Sequence, residues 1–269
     1  MRTKVAVVQM CSIPDLAKNL SAAERLVREA AADGAKLVML PECFAFLGPE
    51  QEKLALAETL PAGGPVLARC VAWAKELGVE LVLGGFWEKG SAPGKVRNAC
   101  VHVAADGSVK SIYRKIHLFD VDLPDGTQLT ESSTVEAGET PVTTDASFGK
   151  LGLSVCYDVR FPELYRKLVD QGAIALAIPA AFTATTGKDH WHVLLRARAI
   201  ESQCYVLAAA QTGKHFGSRA SYGHALIVDP WGVVLAECGE GEGFAAAFID
   251  DEVVTRIRQS LPSLKHRRL

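Results

Sequence analysis

A cysteine, a glutamate and a lysine, each at the end of an apolar run, hold the most chemical potential in this chain of 269 residues. Cys156 lies in the stretch Ser154 to Glu163 (SVCYDVRFPE). There the strand-like alternation Leu151, Leu153, Val155 stops and a helical pattern at Leu164, Leu168 and Val169 follows. A thiol in such a turn is expected over the N-terminus of the next helix, whose positive end favours the nucleophilic thiolate. Glu42 closes Leu40-Pro41-Glu42, and Lys115 closes Tyr113-Arg114-Lys115. Brought together, the three would make an amide-cleaving site that draws on neither histidine nor metal.

An amide carbonyl is a poor electrophile. Its hydrolysis needs a strong nucleophile, stabilisation of the developing oxyanion and a proton for the departing amine. Cys156 would supply the first. Glu42 would take the thiol proton, hand it to the leaving nitrogen and then activate water against the thioester. The Lys115 ammonium and the backbone N–H of Tyr157 would face the oxyanion, and Lys115 would also hold both neighbouring acids ionised. Glu131, in a polar stretch, is a second carboxylate that could orient Lys115 or tune Glu42. Seen one at a time, these residues have plainer readings: a surface carboxylate, a solvated lysine, a small buried cysteine. His117, His190, His192 and His224 read as structural. Cys43, beside Glu42, is a candidate for the pocket lining.

The elements that must carry these side chains follow from periodicity. Strands are expected at 5–9, 36–41 and 80–86, alternating with helices ending near Asp33-Gly34 and spanning about 65–77. A hairpin follows over 98–103 and 109–115. Residues 117–139, with Pro124, Asp125 and Gly126, show no period, and a loop of that length is usually functional. A helix is expected directly after Cys156 to about Gln171, then a strand at 173–178, a helix at 188–202, a strand at 204–209 and a hairpin at 225–235. A late strand and a terminal helix complete the chain. With no linker, residues 1–269 read as one domain, and two similar halves imply two sheets packed face to face with helices outside.

Composition narrows the function. Basic and acidic residues nearly balance, 29 against 31, so there is no electrostatic case for nucleic acid or an anionic membrane. Seven cysteines without CxxC spacing argue against a zinc ribbon or a disulfide framework. The first residues read directly as a strand and no apolar run spans a bilayer, so a reducing cytoplasm is expected. There is no glycine-rich phosphate loop and no clustered metal-ligand pattern, so neither cofactor nor metal is expected.

The three motifs, LPECF around Glu42, YRKIHLFD around Lys115 and CYDVRFPEL from Cys156, resemble the nitrilase, or carbon–nitrogen hydrolase, superfamily over essentially the whole chain. That resemblance implies an α/β fold, a four-layer α-β-β-α sandwich usually paired as a homodimer. It implies a Glu42–Lys115–Cys156 triad with Glu131 as the additional family glutamate. The runs 179–187 and 190–199 resemble short amidases of α-keto-acid amides. The runs 208–215, 219–232 and 264–268 are most similar to the branch acting on deaminated glutathione, a metabolite-repair reaction releasing 2-oxoglutarate and cysteinylglycine. By the same resemblance Arg160 and Thr186 face a substrate carboxylate, for which a guanidinium fork is suited. Arg160 could equally brace Glu163 or a dimer interface. Alternatives are an ω-amidase of 2-oxoglutaramate, a carbamoylase, a nitrile hydrolase, and a non-catalytic binding protein on the same fold.

Overall fold

The computed structural model describes residues 2–122 and 128–268. The first half runs β1 (Arg2–Met10), α1 (Leu16–Ala32), β2 (Leu37–Leu40), α2 (Glu50–Leu56), α3 (Pro65–Leu77) and β3 (Glu80–Lys89), then β4 (Val96–Val103) and β5 (Val109–Arg114). A short strand pair, β6 (Asp120–Asp122) and β7 (Gln128–Thr130), leads into a 3-10 turn at Glu131–Ser133. The second half runs β8 (Val142–Ala146), β9 (Gly149–Leu153), a 3-10 turn at Cys156–Arg160, α4 (Pro162–Asp170), β10 (Ala175–Ala177), α5 (Ala184–Ser202) and β11 (Tyr205–Ala208). Five strands and a helix follow: β12 (Ala210–Phe216), β13 (Arg219–Tyr222), β14 (Leu226–Val228), β15 (Val234–Glu237), β16 (Gly243–Asp250) and α6 (Asp251–Ser260).

The halves repeat one plan. In the first sheet β1, β2 and β3 are parallel neighbours, and the order is β13-β12-β1-β2-β3-β4-β5 with β16 antiparallel to β1. In the second, β9, β10 and β11 are parallel neighbours within β15-β14-β11-β10-β9-β8. Strand alternation makes the layers. Val5 and Val7 of β1 pack with Leu151, Leu153 and Leu176 of the other sheet. Ala6, Val8 and Met10, pointing the other way, pack with Leu26, Val27 and Trp73 of α1 and α3. Both faces of β1 are therefore buried, and fully burying each such aliphatic side chain is worth about 1.5–3 kcal/mol. On the far side Leu168 of α4 and Trp191 and Leu195 of α5 cover the second sheet. The α-β-β-α expectation is met.

Several boundaries differ from expectation. The helix expected directly after Cys156 is a one-turn 3-10 segment, and α4 begins only at Pro162, where a residue lacking N–H fits the first turn. Helix α5 starts at Ala184, not Lys188, so Thr186 lies in its first turn. Part of the stretch read as aperiodic, 117–139, forms the β6–β7 pair and the turn holding Glu131. Pro124, Asp125 and Gly126 lie outside the described residues. Helix α2 carried no signal strong enough to expect it; at seven residues it is too short to show a period.

Candidate active site

The C-terminal ends of β2, β5 and β9 converge on a cavity of about 290 Å³, near the lower end of the roughly 300–1,000 Å³ usual for small-molecule sites. Glu42, Lys115, Glu131 and Cys156 all line it, as do Cys43, Tyr157, Arg160 and Thr186. Glu42 and Lys115 are buried, and Glu131 is half-buried. Close approach is allowed by Gly85 in β3, whose φ is +61°. A Cβ there would lie 2.6 Å from both the Glu42 Cγ and the Cys43 backbone nitrogen.

Lys115 is held by two carboxylates. Its Nζ donates to Glu131 Oε2 at 2.8 Å, to Glu131 Oε1 at 3.1 Å and to Glu42 Oε1 at 3.2 Å. Asn98 of β4 donates to the same two glutamates, at 2.8 Å and 3.2 Å. The second oxygen of Glu42 accepts from the Ala181 backbone N–H at 2.8 Å. Burial opposes ionisation of Glu42 and is the largest single influence on it. Lys115, a hydrogen bond from the Cys156 thiol, Ala181 and Asn98 together outweigh burial and hold the carboxyl below its ordinary range. Lys115 shows the mirror image: burial disfavours its charge, but Glu131 and Glu42 keep the ammonium well above its usual value. Both charges survive because they are paired and hydrogen-bonded, the condition under which buried ions are tolerated.

Cys156 behaves otherwise than expected. It takes a left-handed conformation, φ +47°, as does Cys43 at +59°. Left-handed backbone costs an L-residue about 1–2 kcal/mol, and both strained residues sit against the cavity. The expected helix-dipole support is weak, since only a single 3-10 turn starts at Cys156 and α4 is six residues away. Burial pushes the thiol well above its ordinary value, and the Glu42 charge pushes it further, against Lys115. The expectation that Lys115 holds both acids ionised therefore fails for the cysteine. The resting pair is a neutral thiol facing an ionised glutamate.

The turn is fixed by Asp158, which sequence reading passed over. Its fully buried carboxylate accepts from the Val155 N–H at 2.9 Å, the Tyr113 hydroxyl at 2.7 Å and the His117 N–H at 3.1 Å, with His117 Nδ1 2.7 Å away. One side chain thus ties the residue before Cys156 to residues flanking Lys115. His117 also stacks on Phe161, with centroids 3.8 Å apart. Neither Asp158 nor Asn98 breaks a pattern in the sequence. An Asp two residues beyond a candidate nucleophile was the only signal.

Arg160 reaches toward His190 Nδ1 at 3.3 Å and lies over the Phe182 ring at 5.1 Å, and among the described residues it pairs with no glutamate, Glu163 included. The Thr186 hydroxyl is 2.7 Å from that of Thr183. Away from the cavity, His192 Nε2 and His224 Nδ1 lie 2.9 Å and 2.6 Å from one Glu237 oxygen. These three side chains are close enough to share a cation, although one nitrogen of each ring is already engaged by Glu237.

Residues 4–259 match the carbon–nitrogen hydrolase family. A protein from Synechocystis named deaminated glutathione amidase is 51% identical over 97% of both chains. A human protein of the same name is 48% identical, over 98% of this chain and 82% of its own. The crystal structure of Saccharomyces cerevisiae Nit3, described as a member of branch 10 of the nitrilase superfamily, superposes with a TM-score of 0.87. It is 34% identical, over 100% of this chain and 97% of that one.

Proposed function

The chain belongs to the carbon–nitrogen hydrolase family and hydrolyses carbon–nitrogen bonds, and from that premise we propose that it is an amidase of deaminated glutathione acting through a thioester on Cys156. The geometry that carries the mechanism is Lys115 locked between Glu42 and Glu131 beside the Cys156 thiol, where the surroundings hold Glu42 below its ordinary range and burial pushes the thiol above its own. As the thiol attacks the amide carbon, its proton passes to Glu42 in the same step, because a free thiolate is disfavoured there. Lys115 and the Tyr157 N–H stabilise the oxyanion. Glu42 then protonates the departing nitrogen of cysteinylglycine as the C–N bond breaks. Water attacks the thioester, giving its proton to Glu42, and 2-oxoglutarate leaves as the thiol is restored. Glu131 keeps Lys115 charged and aimed.

Substrate choice rests on the 51% and 48% identities to amidases so named, and on the Arg160 guanidinium lining the cavity, suited to the keto-acid carboxylate. We read residues 1–269 as one catalytic domain working as a cytoplasmic homodimer. Seven free cysteines fit a reducing compartment. Val193 and Ile200 lie two turns apart on one face of α5 at 66% and 48% exposure, and the β14–β15 turn beside them exposes Trp231 at 58%. Arg196 on the same face donates to Gly232 O at 2.8 Å, so helix and turn form one apolar surface that a second copy would cover. No helix among the described residues is long and apolar enough to cross a membrane.

The test is release of 2-oxoglutarate from deaminated glutathione and from 2-oxoglutaramate, side by side. A higher kcat/KM for deaminated glutathione supports this reading. A tenfold preference for 2-oxoglutaramate replaces it with the ω-amidase reading.

A further inference from the structure

Four cationic side chains line the cavity, Lys53, Lys115, Arg160 and Arg219, with three carboxylates, Glu42, Glu50 and Glu131. The lysines are committed. Lys115 pairs with Glu42 and Glu131, and Lys53 pairs with Glu50 while donating to the Thr134 hydroxyl at 2.9 Å. The arginines are not. Among the described residues Arg160 has His190 as its one hydrogen-bonding neighbour, and the Arg219 side chain makes no hydrogen bond or ion pair. A half-buried guanidinium with five donors and no acceptor marks a site that lacks its anion.

The two arginines arrive from different parts of the fold. Arg160 ends the turn after β9 of the second sheet and packs between Tyr157 and Phe182. Arg219 opens β13, on the edge of the first sheet, and its charge is felt by Glu50 and Cys43. The β12–β13 hairpin that carries it is anchored, since Tyr222 N–H donates to Phe182 O at 2.9 Å and Ser221 bridges to Thr183. Arg219 is thus a built part of the wall, carried by a different strand from the turn that carries Arg160.

We propose that Arg219 forms a second carboxylate subsite, separate from that of Arg160, which binds the terminal carboxylate of a peptide leaving group. This rests on the amidase reading above. A substrate with carboxylates on both sides of the scissile amide gives each arginine one partner. A monoamide such as 2-oxoglutaramate leaves Arg219 empty. Arg219 therefore decides between the two substrates, and Arg160 serves both.

The experiment compares wild type, Arg219→Gln and Arg219→Lys on three compounds: deaminated glutathione, its C-terminal glycinamide, and 2-oxoglutaramate. Loss of a charge-assisted pair should lower the kcat/KM ratio of deaminated glutathione to 2-oxoglutaramate about 10- to 100-fold in Arg219→Gln, with partial recovery in Arg219→Lys. The glycinamide should be a poorer substrate of wild type, and the Arg219→Gln penalty on it should be small. Turnover of 2-oxoglutaramate in the same preparation reports that the variant is folded. An unchanged ratio, or an equal penalty on acid and amide, overturns the subsite while leaving the amidase reading intact. A wild type that hydrolyses 2-oxoglutaramate but not deaminated glutathione overturns the substrate reading and the subsite together.

Discussion

On the floor of the cavity Lys115 has three carboxylate oxygens within 3.2 Å, whereas on its wall Arg160 and Arg219 have no carboxylate partner among the described residues. Floor charges are paired and hydrogen-bonded to one another, so they are fixed before any substrate arrives. The wall arginines are half-exposed and unpaired among the described residues, so their partner must come from outside. Preorganised charge suits a developing oxyanion, and unpaired charge suits recognition of an anion. If that division of labour holds, floor substitutions should depress kcat and wall substitutions should raise KM.

The floor gives the largest expected effect. Cys156→Ala should lower kcat by about 10⁴-fold or more while the fold stays intact, since no other group supplies the nucleophile. Substantial turnover by a folded Cys156→Ala protein would end the thioester mechanism. Next comes Lys115→Met, expected to cost about 10²- to 10³-fold in kcat with KM little moved. A variant with normal kcat and a raised KM would transfer Lys115 to the wall's class of ground-state binders.

The same division explains what was legible in the sequence. Glu42, Lys115 and Cys156 each end an apolar strand, and a strand end is visible as a change of period. The parallel strands β2 and β9 that deliver Glu42 and Cys156 were equally visible, because strands buried on both faces read as unbroken apolar runs. Asn98, Asp158 and the Ala181 N–H were not, since nothing local distinguishes a buried polar group with partners 45 or 139 residues away. The thiolate expectation failed for a related reason. A turn after a strand is legible, but whether burial or a helix end dominates at the sulfur depends on everything packed around it. Arg219 appeared only inside a run similar to other amidases, and its lack of a partner is a fact of three dimensions.

A smaller effect is expected on the wall. Arg160→Lys keeps the charge but loses the planar fork, so KM should rise about fivefold to tenfold for both deaminated glutathione and 2-oxoglutaramate, with kcat nearly kept. Equal penalties on both substrates would place Arg160 on the acyl side shared by them. A penalty confined to deaminated glutathione would exchange the assignments of Arg160 and Arg219.

The smallest expected change is the most searching test of the floor. Glu42 must be ionised to accept the thiol proton, and its surroundings hold its pKa below the ordinary carboxylate range. Lowering the pKa of a required base moves the acid limb of kcat/KM to lower pH. Cys156 must keep its proton for delivery to the leaving nitrogen, and burial moves its ionisation well above the ordinary thiol range. Raising the pKa of a required acid moves the alkaline limb to higher pH. The two shifts widen the plateau from both sides. Between about pH 5 and pH 8.5, kcat/KM should vary less than about twofold, because the ordinary values of roughly 4.3 and 8.5 both fall outside or at its edges. A limb near pH 6 to 7 would mean that desolvation of Glu42 outweighs Lys115, Asn98 and Ala181, and that the floor is not compensated before substrate binds. A limb near pH 8 would mean that the thiol titrates as an ordinary cysteine, and that attack starts from a preformed thiolate.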